Sequence, residues 1–384
     1  MSKSVLISAG EASGDLHAAK LVKALVKIKP QINVTAMGGE KLRDAGAKII
    51  VDCSEIAVIG IFEVLANYKK IKSALDKMRE QIRNNPPDLL ILVDYQEFNL
   101  KLAKTAKENA VKVLFYISPQ VWAWRPHRVY KIGRFIDMMA VLFPFEEKFY
   151  KDAKVPVTFV GHPLLDEVKP GKSKEQVLNE YDLSPDQQII GLFPGSRLGE
   201  IKRILPLQLE SAEILQAGKK KLQFILPAAS TLTKADFTPW LDQYKKLGVK
   251  TVQGRVYDVA QVCDAIITAS GTATLEIALM GTPNVIVYKV SLFTYWIAKY
   301  MVTIDKIGLA NIAAEKNIVK EFIQSEAKPD LIAEEMQRIL DDKDYREKMV
   351  RELKQVKDKL GQKGGADNIA QLAYDMLYNR VLPS

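Results

Sequence analysis

The sequence predicts an α/β protein built from two Rossmann-like domains in tandem, their parallel sheets facing each other across a cleft. Three observations carry this. Short, continuous apolar runs alternate with amphipathic helical stretches, as expected for parallel strands covered on both faces. That alternation stops in a polar, proline-containing segment, DEVKPGKSKEQVLNEYDLSPDQ (166–187), and then begins again. Each half also opens alike, with apolar strand, glycine-containing loop and helix, at SAGEASGDLHAAK (8–20) and at QQIIGLFPGSRLGEIKRIL (187–205). A repeat of about 180 residues is far too long for a solenoid unit and reads as a duplicated architecture. The expected domains are 1–165 and 166–384, with the charged helical tail assigned to the second.

In the first half the strands are read at SVLIS, NVTAMG, LLILVD, KVLFYIS, MMAVLF and VTFVG, separated by helices such as Leu16–Ile28, Tyr68–Asn84 and Asn99–Glu108. In the second they are read at IIGLFP, LQFILPA, VKTVQG, AIITAS and NVIVYK. The chain has 384 residues, 48% hydrophobic and 26% charged, which is the composition of a soluble globular protein with more than one core. No apolar run approaches the ~20 residues of a spanning helix, and the N-terminal run is too short for a signal peptide. Cys53 and Cys263 stand one in each half, which argues against a disulfide framework and for a reducing cytoplasm. Two cysteines and three histidines leave little for a zinc site. The net charge of +9 favours anionic partners. Without a zinc-finger spacing, an RNP-like aromatic motif or a long basic tail, nucleic acid is not expected among them.

In open parallel sheets ligands bind beyond the carboxyl ends of the strands, so the strand-end loops are the candidate site. The loop after the first strand, with Glu11, Ser13 and Asp15, lacks the Gly-x-Gly-x-x-Gly spacing of a dinucleotide site, and its acids would repel a phosphate. LFPGSR instead places Gly195, Ser196 and Arg197 at a helix start, where amides and a permanent cation suit a diphosphate. TASGTATLE adds a second such loop, Ser270, Gly271, Thr272 and Ala273, followed by Glu276, whose carboxylate can accept from a ribose diol. The nucleotide is therefore expected in the second half. LLILVDYQEFN ends a buried strand in Asp94, a rigid place for a general base, with Glu97 and Asn99 just beyond. SPQVWAWRPHRVYKIGR crowds Trp122, Trp124, Arg125, His127 and Arg128 into one loop and helix start, more than core filling requires, and suits sugar or phosphate contact.

These motifs closely resemble the lipid-A-disaccharide synthase family. The resemblance rests on SAGEASGD, AVIGIFEVL, SPQVWAWR, KIGR, FPFE, VGHPL, FPGSR, ASGTATLE and TYWIAK, and runs from residue 8 to about residue 325. It implies a GT-B architecture with the nucleotide on the second domain. It also implies an inverting transfer that joins UDP-2,3-diacylglucosamine to 2,3-diacylglucosamine 1-phosphate through a β-1,6 link and releases UDP. In that scheme Asp94 matches the essential aspartate, Arg197 the diphosphate arginine, Glu276 the ribose carboxylate and Asn311 a further UDP-side residue. Glu11, Ser13, Asp15, Glu97, Asn99, Trp124 and Arg125 fall to the acceptor side. The family often reads Asp-x-x-Asp-Phe-Asn where this chain has Asp94-Tyr-Gln-Glu97-Phe-Asn. No metal and no cofactor are implied. Two rivals stand beside this reading: another two-domain UDP-sugar enzyme such as an epimerase, and a basic nucleotide-binding scaffold.

The lipid substrates imply a peripheral protein on the cytoplasmic face of the inner membrane. Phe62, Val64, Leu65 and Tyr68 just ahead of Lys69 and Lys70 describe a segment that dips into an anionic bilayer surface, and SLFTYWIAKYMV (291–302) is an aromatic-rich rival for that role. The oligomeric state stays open, a homodimer included.

Overall fold

The computed structural model describes residues 2–55, 67–124, 126–218, 221–229, 232–290 and 305–379. They divide into two compact units, Met1–Pro163 with Gln362–Ser384, and Leu164–Gly361. The first unit holds strands Ser4–Ala9 (β1), Asn33–Gly38 (β2), Lys48–Asp52 (β3), Leu89–Val93 (β4), Lys112–Tyr116 (β5), Met138–Val141 (β6) and Val157–Phe159 (β7). The second holds Gln188–Phe193 (β8), Leu222–Ala228 (β9), Lys250–Gln253 (β10), Ala265–Ala269 (β11), Asn284–Tyr288 (β12) and Glu321–Ile323 (β13). Every described pairing is parallel, in the orders β3-β2-β1-β4-β5-β6-β7 and β10-β9-β8-β11-β12-β13.

Why these strands form follows from burial. All of Leu89–Val93 is shut from solvent, as are most apolar positions of β5, β6, β8 and β11, so neither face of the sheet needs polar residues. Each fully buried aliphatic side chain contributes about 1.5–3 kcal/mol. Two strands were not anticipated, β3 and β13. Both lie at sheet edges, begin or end in charge and are short, so their apolar signal is weak.

Two expected boundaries shift. The second unit begins at Leu164, and the polar segment 166–187 is folded: helix Leu164–Glu167 runs into it, and helix Lys174–Glu180 within it is held by a Ser173–Gln176 capping box. The carboxylate of Asp258 accepts from the Gly171 and Lys172 amides at 2.6 and 3.1 Å and ties the segment to the second unit. The helix Gly365–Leu377, expected in the second domain, belongs to the first unit. It packs on helix Ala12–Ile28 and on β4 and β5 through buried Ile369, Leu372, Ala373 and Met376. Lys112 Nζ donates to the Met376 carbonyl at 2.7 Å, and Asn368 Nδ2 to the Val160 carbonyl at 3.0 Å. An amphipathic stripe says that a helix must be covered, without saying by which domain.

Ile369→Ala is expected to destabilise the first unit by about 2–5 kcal/mol, since it opens a cavity in a fully buried contact. Hydrogen exchange should then lose protection along Leu89–Val93 and keep it along Gln188–Phe193. Loss confined to the second unit would contradict the assignment of the helix.

Candidate active site

Each strand order places the first strand of its unit beside the strand that starts the opposite run. Loops leaving that pair diverge, and in open α/β sheets ligands lodge at such a switch point. In the first unit the pair is β1 and β4, followed by Gly10–Glu11 and by Asp94. In the second it is β8 and β11, followed by Gly195–Arg197 and Ser270–Ala273. The sequence motifs that carried chemistry thus fall together, two by two.

Asp94 and Tyr95 take left-handed backbone, φ 48° and 43°, at a cost of order 1–3 kcal/mol each. The turn is clamped from several sides. The Asp94 amide donates to the Tyr116 carbonyl at 3.1 Å. Asn99 Nδ2 donates to the Asp94 carbonyl at 2.7 Å and to the Val93 carbonyl at 3.2 Å, while its Oδ1 accepts from Ser8 Oγ at 2.6 Å. The Tyr95 ring lies against Gly10, where any Cβ would collide with it. Burial raises the Asp94 pKa, opposed by a hydrogen bond from the Tyr95 amide. A partly buried carboxyl with a raised pKa on a rigid turn is equipped to accept a proton from a hydroxyl.

The remaining acceptor-side expectations divide. Glu11 and Ser13 are exposed at the start of helix Ala12–Ile28, and the Glu11 charge adds to the burial that raises the Tyr95 phenol. Asp15 and Asn99 need correction. Asp15 is 5% exposed and its carboxylate accepts from the Gly39, Lys41 and Leu42 amides at 2.7, 3.0 and 3.2 Å, so it anchors the next helix rather than facing a sugar. Asn99 is wholly buried and its amide is spent on the two strand ends. Glu97 is exposed and paired with Arg128. Trp122 is buried, its indole N–H donating to Glu146 at 3.2 Å. Trp124 ends helix Val121–Trp124, and Arg125 lies outside the described residues. So do Phe62, Val64, Leu65 and the segment 291–302, whereas Tyr68 is 59% exposed, with Lys69 and Lys70 exposed beside it. His162 is buried, and burial, with the charge of His17, pushes its pKa down to about 4, which keeps it neutral.

In the second unit Gly195 has φ +106° and Gly271 φ +145°, so both loops use conformations that a side chain would strain. Arg197 precedes the twenty-residue helix Leu198–Ala217, its side chain 68% exposed and 3.4 Å from Glu200. The Ser196 amide donates to Glu200 at 3.2 Å, so this loop already accommodates an anionic oxygen. Gly271 precedes helix Thr272–Met280, with Thr272 exposed, Ala273 half-buried and Ser270 Oγ donating to the Ile307 carbonyl at 3.3 Å. Glu276 accepts from the Tyr257 hydroxyl at 2.9 Å; burial, with the Glu167 charge, raises its pKa against that bond. A cavity of about 310 Å³ beside it is lined by Lys169, Gly171, Arg255, Val256, Tyr257 and Asp258. Asn311 is fully buried: it donates to the Val319 carbonyl and Glu321 at 2.8 and 2.7 Å and accepts from the Ile318 and Val319 amides. Its expected contact with the nucleotide is corrected to a supporting one, because Glu321 in turn receives the Ile307 and Gly308 amides.

Sequence reading missed Tyr257, Lys169 and Glu146. Tyr257 follows a strand end in GRVYD and could have been found by the same rule as Asp94. Glu146 closes FPFE, where it accepts from the Leu142 and Phe143 amides and from Trp122; burial pushes its pKa up to about 7 against those bonds.

The family model described as Lipid-A-disaccharide synthetase matches residues 5–373. A lipid-A-disaccharide synthase from Geobacter sulfurreducens is 51% identical over 377 residues, covering 98% of each chain. That from Nitrosococcus oceani is 46% identical over 373 residues, covering 97% of this chain and 96% of the relative. Among solved structures, a UDP-GlcNAc 2-epimerase from Neisseria meningitidis bound to UDP-GlcNAc superposes with TM-score 0.61 at 12% identity, covering 99% of this chain and all of that one. The glycotransferase of kitacinnamycin does so with TM-score 0.63 at 14% identity, covering 98% and 99%. At that identity the likeness speaks to the fold, and the fold is the two-domain GT-B class. The sequence matches speak to the activity: the chain belongs to the lipid-A-disaccharide synthase family, glycosyltransferases that pass a hexosyl group from a UDP-sugar to an acceptor sugar to form the lipid A disaccharide.

Proposed function

We propose that Asp94 is the general base of this reaction and that the loops Gly195–Arg197 and Ser270–Ala273 hold the departing diphosphate. The acceptor is 2,3-diacylglucosamine 1-phosphate, and its 6-hydroxyl gives its proton to Asp94 as it attacks the anomeric carbon of UDP-2,3-diacylglucosamine from the face opposite UDP. The C–O bond to UDP breaks, the configuration inverts, and the charge left on UDP is met by the Arg197 guanidinium and the amides of two helix starts. Glu276 and the cavity beside Tyr257 suit the ribose. The observation that carries this reading is the clamped turn at Asp94, a carboxyl with a raised pKa held rigid by Asn99.

Incubation with both diacyl sugars should give the disaccharide by mass spectrometry. Release of UDP or epimerisation of the donor without acceptor would favour an epimerase instead. Asp94→Asn should lower turnover about 10²–10⁴-fold and leave UDP binding intact. Because only the ionised carboxyl can act as base and its pKa is raised, kcat/KM should fall on the acid side at a pH above the ~3.9 of an ordinary aspartate. Retention of most turnover by the asparagine variant would make another group the base.

Arg197→Ala should weaken UDP binding in calorimetry and reduce turnover still more, since the leaving group gains charge as the bond breaks. The scheme routes no step through a metal, so a chelator should leave the rate unchanged. Strict dependence on Mg²⁺ would contradict it.

We further propose that the protein works at the inner face of the inner membrane through Phe62, Val64, Leu65, Tyr68, Lys69 and Lys70. The exposure of Tyr68 and both lysines supports this, and no described helix is long and apolar enough to cross a membrane. Phe62→Ser with Leu65→Ser should reduce binding to anionic vesicles without lowering the melting temperature. Each lysine at the surface adds about 1 kcal/mol of attraction, so salt should weaken binding further. A double variant that melts well below the parent would place these residues in the core.

A further inference from the structure

We infer that a basic groove beside the Asp94 turn is the subsite for the acceptor's phosphomonoester, an inference that rests on the reading of Asp94 as the base. The groove has a volume of about 430 Å³ and is lined by Glu97, His127, Arg128 and Lys131. Two elements of the first unit build it. Glu97 lies in the first turn of helix Gln96–Glu108, and His127 immediately precedes helix Arg128–Gly133. Lys131 follows Arg128 by three positions and His127 by four, so the three basic side chains share one helical face. Two fixed positive charges and an imidazole therefore confront a single carboxylate.

The arrangement suits a dianion better than a neutral sugar. A phosphomonoester carries about −1.5 to −2 charge near pH 7 and offers three acceptor oxygens, which one carboxylate-paired cation would not balance. Arg128 is already oriented. It donates to Glu97, and both its terminal nitrogens lie 3.1 Å from the Gln96 side-chain oxygen in the amide orientation that satisfies both groups. A guanidinium held in place loses less freedom when it grips two phosphate oxygens at once. Lys131, exposed at the rim, adds a point charge. Glu97 then serves as a positioning residue for Arg128 and not as a second base.

The groove follows the Asp94 turn directly in the chain. Glu97 stands three residues beyond Asp94, in the first turn of the helix that the Asp94–Tyr95 turn leads into. In a glucosamine 1-phosphate the 6-hydroxyl arm and the anomeric phosphate flank the ring oxygen on opposite sides. With the 6-hydroxyl at Asp94, the phosphate on the far side of the ring oxygen is the group assigned to the groove, which selects acceptors that bear one.

The test compares 2,3-diacylglucosamine 1-phosphate with the same sugar lacking phosphate, in the wild type, Arg128→Ala and Lys131→Ala. Arg128→Ala should raise KM for the phosphorylated acceptor about 10–100-fold, the worth of a hydrogen-bonded charge. Lys131→Ala should raise it roughly 2–5-fold, as for an exposed charge pair. Neither should change the kinetics with the dephosphorylated sugar, which the wild type should use less well. Equal losses on both acceptors, or no loss on either, would overturn the subsite. Lys131 is exposed, so its variant carries the test should Arg128→Ala fail to fold. A wild-type chain that joins neither acceptor would overturn the underlying reading, whereas one that joins both equally well would overturn the subsite alone.

Discussion

The side chain of Asn99 closes the place where the first sheet reverses its strand order. β1 and β4 run side by side and their following loops part, so the ends of both strands are left with main-chain groups that no neighbour in the sheet can meet. One buried amide donates to the Val93 and Asp94 carbonyls and accepts from the Ser8 hydroxyl. Removing it would strand several buried polar groups, each at about 1–3 kcal/mol. The left-handed turn of Asp94 and Tyr95 depends on that support, because two strained residues persist only where surrounding bonds over-determine them.

The second unit solves the same problem with different residues. Asn311 pins the Ile318–Val319 main chain and Glu321, Glu321 gathers the Ile307 and Gly308 amides, and the Ile307 carbonyl receives Ser270. The loop Ser270–Ala273 is thus held through a chain of partly buried polar contacts. Asp15, Asp258 and Glu146 do similar work, each placing a buried carboxylate on a cluster of main-chain amides. The acids of this protein sort by burial. Asp15, Asp258 and Glu146 are closed off and spend their oxygens on main-chain amides, whereas Asp94 and Glu276 are only partly buried.

That sorting explains the electrostatics. Asp94 and Glu276 are raised mainly by loss of solvent, and no arginine or lysine is among the causes acting on either. Arg197 and Lys131 are exposed at the surface of their units. Each unit thus carries one carboxyl raised by burial and one exposed cation: Asp94 and Lys131 in the first, Glu276 and Arg197 in the second.

The strands, their parallel class and the doubling of the architecture were legible because continuous apolar runs such as LLILV can be satisfied only between two covered faces. The strand-end place of Asp94 was legible for a related reason: a polar residue directly after such a run must stand at the end of the strand. The sequence could not say which polar residues turn outward. Asn99 shares the Asp94 motif, and Asp15 belongs to the first strand-loop-helix motif, yet the partners of Asp15, Asn99 and Asn311 (Gly39, Ser8 and Glu321) come from other strands and loops, and only the packed fold brings them within hydrogen-bond reach. The last helix is the plainest case. Its apolar stripe required a partner, and the choice of helix Ala12–Ile28, far away in sequence, was made by tertiary packing, because surface burial is indifferent to chain order.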